Sequence, residues 1–401
     1  MSNKELLLSL ADCESENQVG TILRRYGYWE DPSCWRFFGD IEDNYSTIGN
    51  QQSRPEYALV EKLVNSVDAL LMSKCLERGI NPKGKDAPRT LNEALSQFFD
   101  IPEGKLSRVN PRTRTLLADN IGLVATGSRS DPCYSIIDRG EGQTPDSMPD
   151  TLLGLFRSVK SEIPFVQGKF HMGGTGAFRF CGQQNLQLVL SKRNPVILQS
   201  GESDDWGFTI VRRQKPTGKR RVSVYTYLAP DNSVLSFAAN SLPLWPGPYP
   251  EKAGNPLEWG TFIKLYEYNL AGLKTNIVMD LYYVLSLIVP NIALPVRLFE
   301  RRPGYSGHSL ETNLAGLSVR LEDDVGDNLE PGYPSSHTIT CIGQKMLAQI
   351  YAFKPGQAAN YRRREGVIFT INGQTHAHIP STFFQRESWY GLSQGFLTCG
   401  G

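Results

Sequence analysis

The sequence predicts an α/β protein, more specifically an α+β two-layer sandwich in which helices back a mixed, mainly antiparallel sheet. Three observations predict this fold class. An amphipathic helix is expected over residues 55–72, strand-like runs separated by turn residues fill 134–266, and further strand-like runs follow residue 290. Because strands crowd the stretch 186–266, neighbouring strands are expected to be antiparallel.

The chain divides into three predicted segments. Residues 1–50 form an N-terminal arm whose aromatic side chains are expected to pack on the rest of the protein. Residues 51–270 form the first domain, which contains a polar insertion over 78–131. Residues 271–401 form a smaller α/β domain, and a chain of 401 residues is long enough to bury more than one core.

Individual strands are expected where β-branched or alternating residues lie between turn residues. In the first domain these are Tyr134–Asp138, Leu186–Leu190, Val196–Gln199, Trp206–Arg212, Val222–Leu228 and the run after Trp259. After a helix over Leu273–Ile288, the second domain has Leu294–Phe299, Leu317–Leu321, Thr338–Ile342 and Val367–Ile371. Asn372 and Gly373 predict a hairpin turn after the last strand.

The composition is that of an ordinary globular protein without a charge bias. Lysine and arginine total 42 against 41 acidic residues, so any DNA contact would need a local basic patch. The seven cysteines form no CxxC pair, which favours reduced thiols in a cytoplasmic protein over disulfides or zinc. We expect neither a signal peptide nor a membrane span, since no stretch reaches roughly 18 continuous apolar residues.

The helix predicted over 55–72 separates polar from apolar side chains. At 100° per residue, three polar side chains share one face: Glu61, Asn65 and Asp68. Four leucine and valine side chains share the other: Leu59, Leu63, Val67 and Leu70. A polar row of this kind is costly to bury unsatisfied, so either water or a ligand meets it. Ser53 and Glu56 are spaced as a capping box at the start of the helix.

Two glycine-rich segments follow this helix. In the first, an apolar strand ends at Asp138, and Gly140 and Gly142 then allow backbone to approach a flat ligand closely. The second runs from Gly168 to Gly176 and has the character of a phosphate cradle, because free N–H groups at the start of a helix attract anions.

Together, in this order, the three segments resemble the motifs of the GHKL ATPases, the superfamily of DNA gyrase, heat-shock chaperones of the ninety-kilodalton class, histidine kinases and MutL. The E-x-x-x-N-S-x-D-A run that begins at Glu61 and the D-x-G-x-G run that begins at Asp138 match without a gap. The resemblance implies a Bergerat-type ATP-binding fold over 51–270 with a lid over about 143–176. It also implies a transducer-like domain over 271–401.

The resemblance assigns roles to individual residues. Glu61 would be the catalytic base that activates water, and Asn65 would bind Mg²⁺ through a neutral oxygen. Asp138 would accept a hydrogen bond from the amino group of adenine, which selects adenine over guanine. The other residues expected to contact ATP are Asp68, Ala69, Gly140, Gly142, Lys160, Gly168, Gly173, Gly174, Thr175, Gly176 and Thr261.

The lid departs from the usual family spacing. Relatives show G-x-x-G-x-G, whereas four residues separate Gly168 from Gly173 here, so the amide donors stay open. Lys160 resembles a lysine of MORC-type lids and is either a phosphate ligand or an exposed lysine. Thr261, after Gly260 at the start of a strand, resembles a fourth family motif beside the adenine.

The same residues help to choose among the GHKL proteins. A histidine kinase would need a phosphoacceptor histidine before the ATP module, but no histidine precedes His171, and such kinases carry Asn where Glu61 stands. A chaperone would need a longer C-terminal region. The MutL, MORC and topoisomerase branch fits better, and it implies a slow ATPase that forms a homodimer when ATP binds, with residues 1–50 as an arm exchanged between subunits.

The output of such a switch stays open. A partner effector protein could carry it, and DNA repair, chromosome handling and anti-phage defence are all compatible with the sequence. The alternative is a nucleotide-sensing module that binds ATP without significant turnover.

Overall fold

The computed structural model describes residues 2–155, 162–168, 173–218, 220–270, 272–273, 275–305, 310–341, 343–355, 357, 366–380, 383 and 395–400. Its helices are α1 (Asn3–Asp12), α2 (Glu16–Arg25), α3 (Tyr45–Gly49), α4 (Pro55–Glu77), α5 (Leu91–Phe99), α6 (Pro111–Ala118), α7 (Leu281–Ile288), α8 (Leu317–Asp323) and α9 (Val325–Asn328).

The strands of the first half of the chain are β1 (Trp35–Phe37), β2 (Ile121–Gly127), β3 (Pro132–Asp138), β4 (Gln187–Lys192), β5 (Trp206–Gln214) and β6 (Val224–Leu228). They are followed by β7 (Leu235–Phe237), β8 (Leu242–Trp245), β9 (Asn255–Leu257), β10 (Gly260–Leu265), β11 (Val296–Glu300) and β12 (Glu311–Leu314). The last strands are β13 (Ser335–Cys341), β14 (Gln344–Ala352), β15 (Gly366–Ile371), β16 (Gln374–Pro380) and β17 (Gly395–Gly400).

Most of the described strands before residue 315 form one large sheet, which we call the first sheet. Its order is β1-β6-β5-β4-β10-β3-β2-β11-β12, and β7 pairs with β5. Among the described residues, its pairs are antiparallel except for the parallel pair of β2 and β11. A mixed, mainly antiparallel sheet combined with helices confirms the predicted α/β class at this level.

Helix α4 packs its apolar side chains onto one face of the first sheet. Leu63 and Val67 are fully buried and belong to one cluster with Leu123 of β2 and Ile136 of β3. Burial of leucine and valine side chains at this spacing supplies the main driving force for docking the helix. The polar residues one turn away are therefore held in a fixed position relative to the ends of the strands.

The start of α4 differs from the prediction. Arg54 is the N-cap residue and Pro55 occupies the first turn, but no side chain caps the helix, so the predicted capping box of Ser53 and Glu56 is wrong. Glu56 instead pairs with the guanidinium of Arg54. A proline at the first helical position needs no N–H partner, which suits it to begin the helix.

The opposite face of the first sheet is also covered. Leu7 of α1 and Leu23 of α2 are fully buried beside Leu188 and Phe262 of the sheet. Strand β1 pairs with β6, placing Trp35 opposite Leu228. Residues 2–50 thus pack on their own chain, and the first sheet lies between two covering layers. The predicted two-layer sandwich did not include the layer formed by α1 and α2.

Three segments have a different secondary structure from the one predicted. Pro195–Ile197 forms a 3₁₀ turn in place of the predicted strand Val196–Gln199, and Leu317–Leu321 lies in helix α8. Strand β2, which we had placed inside a polar insertion, is a central strand of the first sheet. Its residues up to Thr126 are buried, because helices or loops cover both faces there.

The first sheet extends beyond residue 270, where we had placed the start of the second domain. Strands β11 and β12 follow that residue and join the sheet through β2. A second sheet has the order β13-β14-β17-β15-β16, and α8 packs against it through Leu317 and Leu321. Asn372 and Gly373 form the predicted turn between β15 and β16, with φ angles of 49° and 76°.

None of the described helices is both long enough and apolar enough to span a membrane.

Candidate functional site

Three neighbouring strands bring polar residues together at one end of the first sheet. Thr261 of β10 lies opposite Asp138 of β3 on one side and opposite Ser191 of β4 on the other. Helix α4 crosses the same region and adds Ser66 and Asn65. We call this region the pocket end of the first sheet.

Asp138 is held by donors from two elements. One carboxylate oxygen, Oδ2, accepts a hydrogen bond from Ser66 Oγ at 2.9 Å, and Oδ1 accepts one from the Gly140 amide at 3.0 Å. Burial raises the pKa of Asp138 to about 7, against the lowering effect of these hydrogen bonds. The charged carboxylate is therefore poorly solvated and would gain from another hydrogen-bond donor.

The glycines after Asp138 are required by protein backbone. A Cβ on Gly140 would lie 2.5 Å from Ala69 Cβ, and the Glu141 amide donates to the Ala69 carbonyl at 3.0 Å. Gly142 has a φ of 60°, and a Cβ there would lie 1.7 Å from the carbonyl oxygen of Lys192. The sequence predicted close approach to a flat ligand; the approach seen in the structure is to α4 and the end of β4.

Asp68 is fully buried and faces the start of the glycine-rich segment of the predicted lid. Its Oδ1 accepts hydrogen bonds from the amides of Gln167 at 2.8 Å and Gly168 at 3.3 Å, and Oδ2 lies 3.2 Å from the latter amide. Asp68 therefore ties the lid to α4, a role that the predicted contact with ATP had not included.

The described part of the lid lies against Asn65. A Cβ on Gly168 would lie 3.9 Å from Asn65 Oδ1, and one on Gly174 would lie 3.3 Å from Asn65 Nδ2. Gly173–Thr175 forms a single 3₁₀ turn, in which the Thr175 hydroxyl is hydrogen-bonded to Gln51, and the buried Gly176 follows. Lys160 and residues 169–172 lie outside the described residues.

Glu61 precedes Asn65 by one turn of α4 on the same face. Its Oε2 is buried and has no hydrogen-bond partner among the described residues. Burial raises the pKa of Glu61 to about 7, and the neighbouring charge of Lys62 acts in the opposite direction. Lys62 is itself buried 5.5 Å from the Phe178 ring, and burial lowers its pKa to about 8. A carboxyl group that titrates near neutral pH is suited to accept a proton.

The donor set at the pocket end suits Mg²⁺ bound together with phosphate. The described part of the chain holds no cluster of three or more His, Cys, Asp or Glu that could bind a metal ion on its own. Mg²⁺ keeps several waters and usually takes only one or two protein oxygens beside the phosphates. The exposed amide of Asn65 can provide one of them.

Sequence reasoning missed two residues of this region. The Ser191 hydroxyl donates to the Gly260 carbonyl at 3.0 Å, lies 3.1 Å from the Thr261 hydroxyl and accepts from the Gln143 amide at 2.9 Å. Gln167 is the second. Its position before Gly168 was visible in the sequence, but its partners were not.

Gln167 joins the lid to the second sheet. Its Nε2 donates to the backbone carbonyls of Asn291 at 2.8 Å and Asn372 at 3.0 Å. Its Oε1 accepts from the Ala293 amide at 3.1 Å. Because the Gln167 amide also donates to Asp68, one residue connects α4 with the turn between β15 and β16.

A pocket of about 610 Å³ is lined by other residues. Its lining includes Arg139, Trp245 and Arg297, and none of the predicted site residues takes part. We therefore base the site on the contacts of α4, β3 and the lid.

Neither the known family models nor the curated proteins gave a match to this chain.

Proposed function

We propose that the protein is a Mg²⁺-dependent ATPase of the GHKL type, with a Bergerat-type ATP-binding fold, that works as a conformational switch. The observation that carries the proposal is Glu61. A buried carboxylate oxygen without a described partner, in a group with a pKa raised to about 7, lies one turn from Asn65. Such perturbed groups cluster at functional sites.

Three parts of the predicted site then have chemical tasks. Asp138 accepts a hydrogen bond from the adenine amino group, which supplies the donor that its poorly solvated carboxylate lacks. Backbone amides of Gly173–Gly176 bind the phosphates. Asn65 would hold Mg²⁺, which would neutralise charge on the phosphate oxygens.

Hydrolysis requires a base for the attacking water. Glu61 takes a proton from water while the water oxygen attacks the terminal phosphorus of ATP. The bond between that phosphorus and the leaving oxygen of ADP then breaks. The products are ADP and inorganic phosphate. A general base with a pKa near the working pH accepts the proton readily while about half of its molecules are already ionised.

The bonds of Gln167 support the switch. If the lid moves when ATP binds, the amide of Gln167 and its side chain move with it, which disturbs its bonds to Asp68 and to Asn372. The second sheet would thereby respond to the nucleotide. The family resemblance adds that ATP brings two copies together as a homodimer, with the output passed to DNA or to a partner effector.

The proposal is tested by measuring Mg²⁺–ATP binding and hydrolysis for the wild type and for Glu61→Ala. We expect the ATP affinity of Glu61→Ala to stay within a few-fold of the wild-type value, because Glu61 acts on the attacking water and does not contact the bound nucleotide in the ground state. Hydrolysis should fall by about 10²–10⁴-fold. Glu56→Ala, in the first turn of the same helix, is the matched control and should hydrolyse ATP at the wild-type rate.

Three outcomes decide between the alternatives. Absence of ATP binding by the wild type contradicts the proposal altogether. Binding without turnover favours the nucleotide-sensing module. Light scattering of Glu61→Ala with ATP tests the dimer: a monomer that holds ATP removes the dimer and leaves the base in place.

A further inference from the structure

The most concentrated positive charge in the sequence lies in the connection between β5 and β6. Six of the ten residues over 212–221 are cations: Arg212, Arg213, Lys215, Lys219, Arg220 and Arg221. No acidic residue occurs between Asp205 and Asp231. Because the whole chain has a net charge of only +1, this concentration is local. We call residues 212–221 the basic hairpin; Lys219 lies outside the described residues.

The root of the basic hairpin is anchored by backbone and aromatic contacts. The Arg212 guanidinium lies between two tryptophans, 3.5 Å from the ring centroid of Trp35 and 4.6 Å from that of Trp29, and donates to the Trp29 carbonyl at 2.7 Å. Arg213 donates to the Gln183 carbonyl at 2.7 Å. Neither arginine forms an ion pair with a carboxylate among the described residues.

The tip of the basic hairpin presents its cations to solvent. The Arg220 guanidinium stabilises the turn by donating hydrogen bonds to the carbonyl oxygens of Val222 at 3.1 Å and Lys215 at 3.3 Å. Lys215 and Arg221 are exposed, and within the described part of the chain neither forms an ion pair. Such a tip keeps its full positive charge available to an anionic partner.

This surface is separate from the pocket end. Ser191 lies opposite Gly207 at the start of β5, whereas the basic hairpin begins in the last residues of that strand and continues beyond it. At about 3.3 Å per residue, the length of β5 separates the two by roughly 20 Å or more. The cations of the hairpin therefore do not serve the nucleotide phosphates.

The neighbouring residues favour nucleic acid over a lipid surface. Tyr26 and Tyr28, half-buried and stacked with ring centroids 6.1 Å apart, lie in the same segment as Trp29. Aromatic rings beside cations are typical of surfaces that bind bases and phosphates together. Directly after the hairpin, Val222 is exposed. A single valine provides too little apolar surface to insert into a membrane.

We propose that the basic hairpin binds the phosphate backbone of nucleic acid through Lys215, Arg220 and Arg221. This interaction does not depend on the ATPase, because the two surfaces lie at opposite ends of the first sheet. Backbone contacts of this kind are insensitive to sequence and strongly dependent on salt.

The test is fluorescence anisotropy of the full chain, without ATP, against labelled DNA of about 20 nucleotides over about 50–300 mM salt. A duplex and a single strand are used in separate arms, since both offer the same phosphates. Lys215→Glu with Arg221→Glu should weaken binding by about tenfold or more and lower the salt slope by about 2. Lys85→Glu with Arg112→Glu changes the net charge equally at two other exposed sites and should bind like the wild type.

Thermal unfolding of both double variants confirms that they are folded. The proposal is overturned if the wild type binds neither form of DNA at low salt, or if the hairpin variant binds as tightly as the wild type. Equal weakening by both double variants would assign the effect to net charge and also overturn it. So would binding to vesicles of anionic lipid with none to DNA.

Discussion

The two ends of the first sheet hold opposite charges by similar means. At the pocket end, Asp138 is fixed by the Ser66 hydroxyl and a backbone amide, and burial raises its pKa to about 7. At the hairpin end, Arg212 is fixed by a backbone carbonyl and two tryptophans, and burial lowers its pKa to about 10.

The difference lies in what remains available to a ligand. Helix α4, which adds Ser66 and Asn65 to the pocket end, also keeps a buried oxygen of Glu61 without a described partner. The hairpin end keeps its exposed cations in water. The first sheet thus has a buried carboxylate, Asp138, at one end and an open cationic surface at the other, and each can be altered without the other.

Glycine substitution at the two ends should give the largest contrast in stability. Gly142→Ala places a methyl group against the Lys192 carbonyl at a φ of 60° and should lower the free energy of unfolding by about 2–4 kcal/mol. At Gly218 no atom lies within 4 Å of the added carbon, so Gly218→Ala should change the free energy of unfolding by less than about 0.5 kcal/mol. Urea unfolding of both variants measures the difference. Equal changes in the free energy of unfolding would mean that the two ends tolerate an added methyl group equally well.

Asp138→Asn should produce a smaller effect that is specific to the nucleotide. Replacing the carboxylate removes a charge-assisted hydrogen bond to adenine and should weaken ATP binding by about 1–3 kcal/mol, or roughly 5–150-fold. Calorimetric titration with ATP and with GTP measures both affinity and base preference. DNA binding by the basic hairpin should be unchanged in this variant. An unchanged ATP affinity would remove Asp138 from base recognition.

The elements of the site could be predicted where a sequence pattern within one short segment indicates them. The helical period placed Glu61 and Asn65 on one face of α4, and a strand that ends in a carboxylate followed by glycines placed Asp138. Contacts between distant residues could not be predicted in this way. The bond between Asp68 and the Gln167 amide joins residues 99 positions apart, and no pattern within α4 or within the lid indicates it.

Two errors in the fold have similar physical causes. Leu317, Val319 and Leu321 alternate with polar residues, which is the period of a strand, but the segment forms α8. Leu317 and Leu321, four residues apart, are buried in one cluster, and Val319 is buried in another. Strand β2 contains Gly122 and Ala125, small residues that dilute its apolar pattern. Tertiary packing decided both segments, since α8 covers the second sheet and β2 lies between two other strands.

The central claim is that Glu61 is the base of an ATPase, and the pH dependence of hydrolysis at saturating Mg²⁺–ATP tests it most directly. A carboxyl group with its pKa raised to about 7 is protonated below that pH and cannot accept a proton from water. The wild-type rate should therefore rise with pH through about 7 and then level off, whereas Glu61→Gln should be slower by about 10²–10⁴-fold and lose this dependence. A Glu61→Gln variant that hydrolyses ATP at the wild-type rate with the same pH profile would contradict the account.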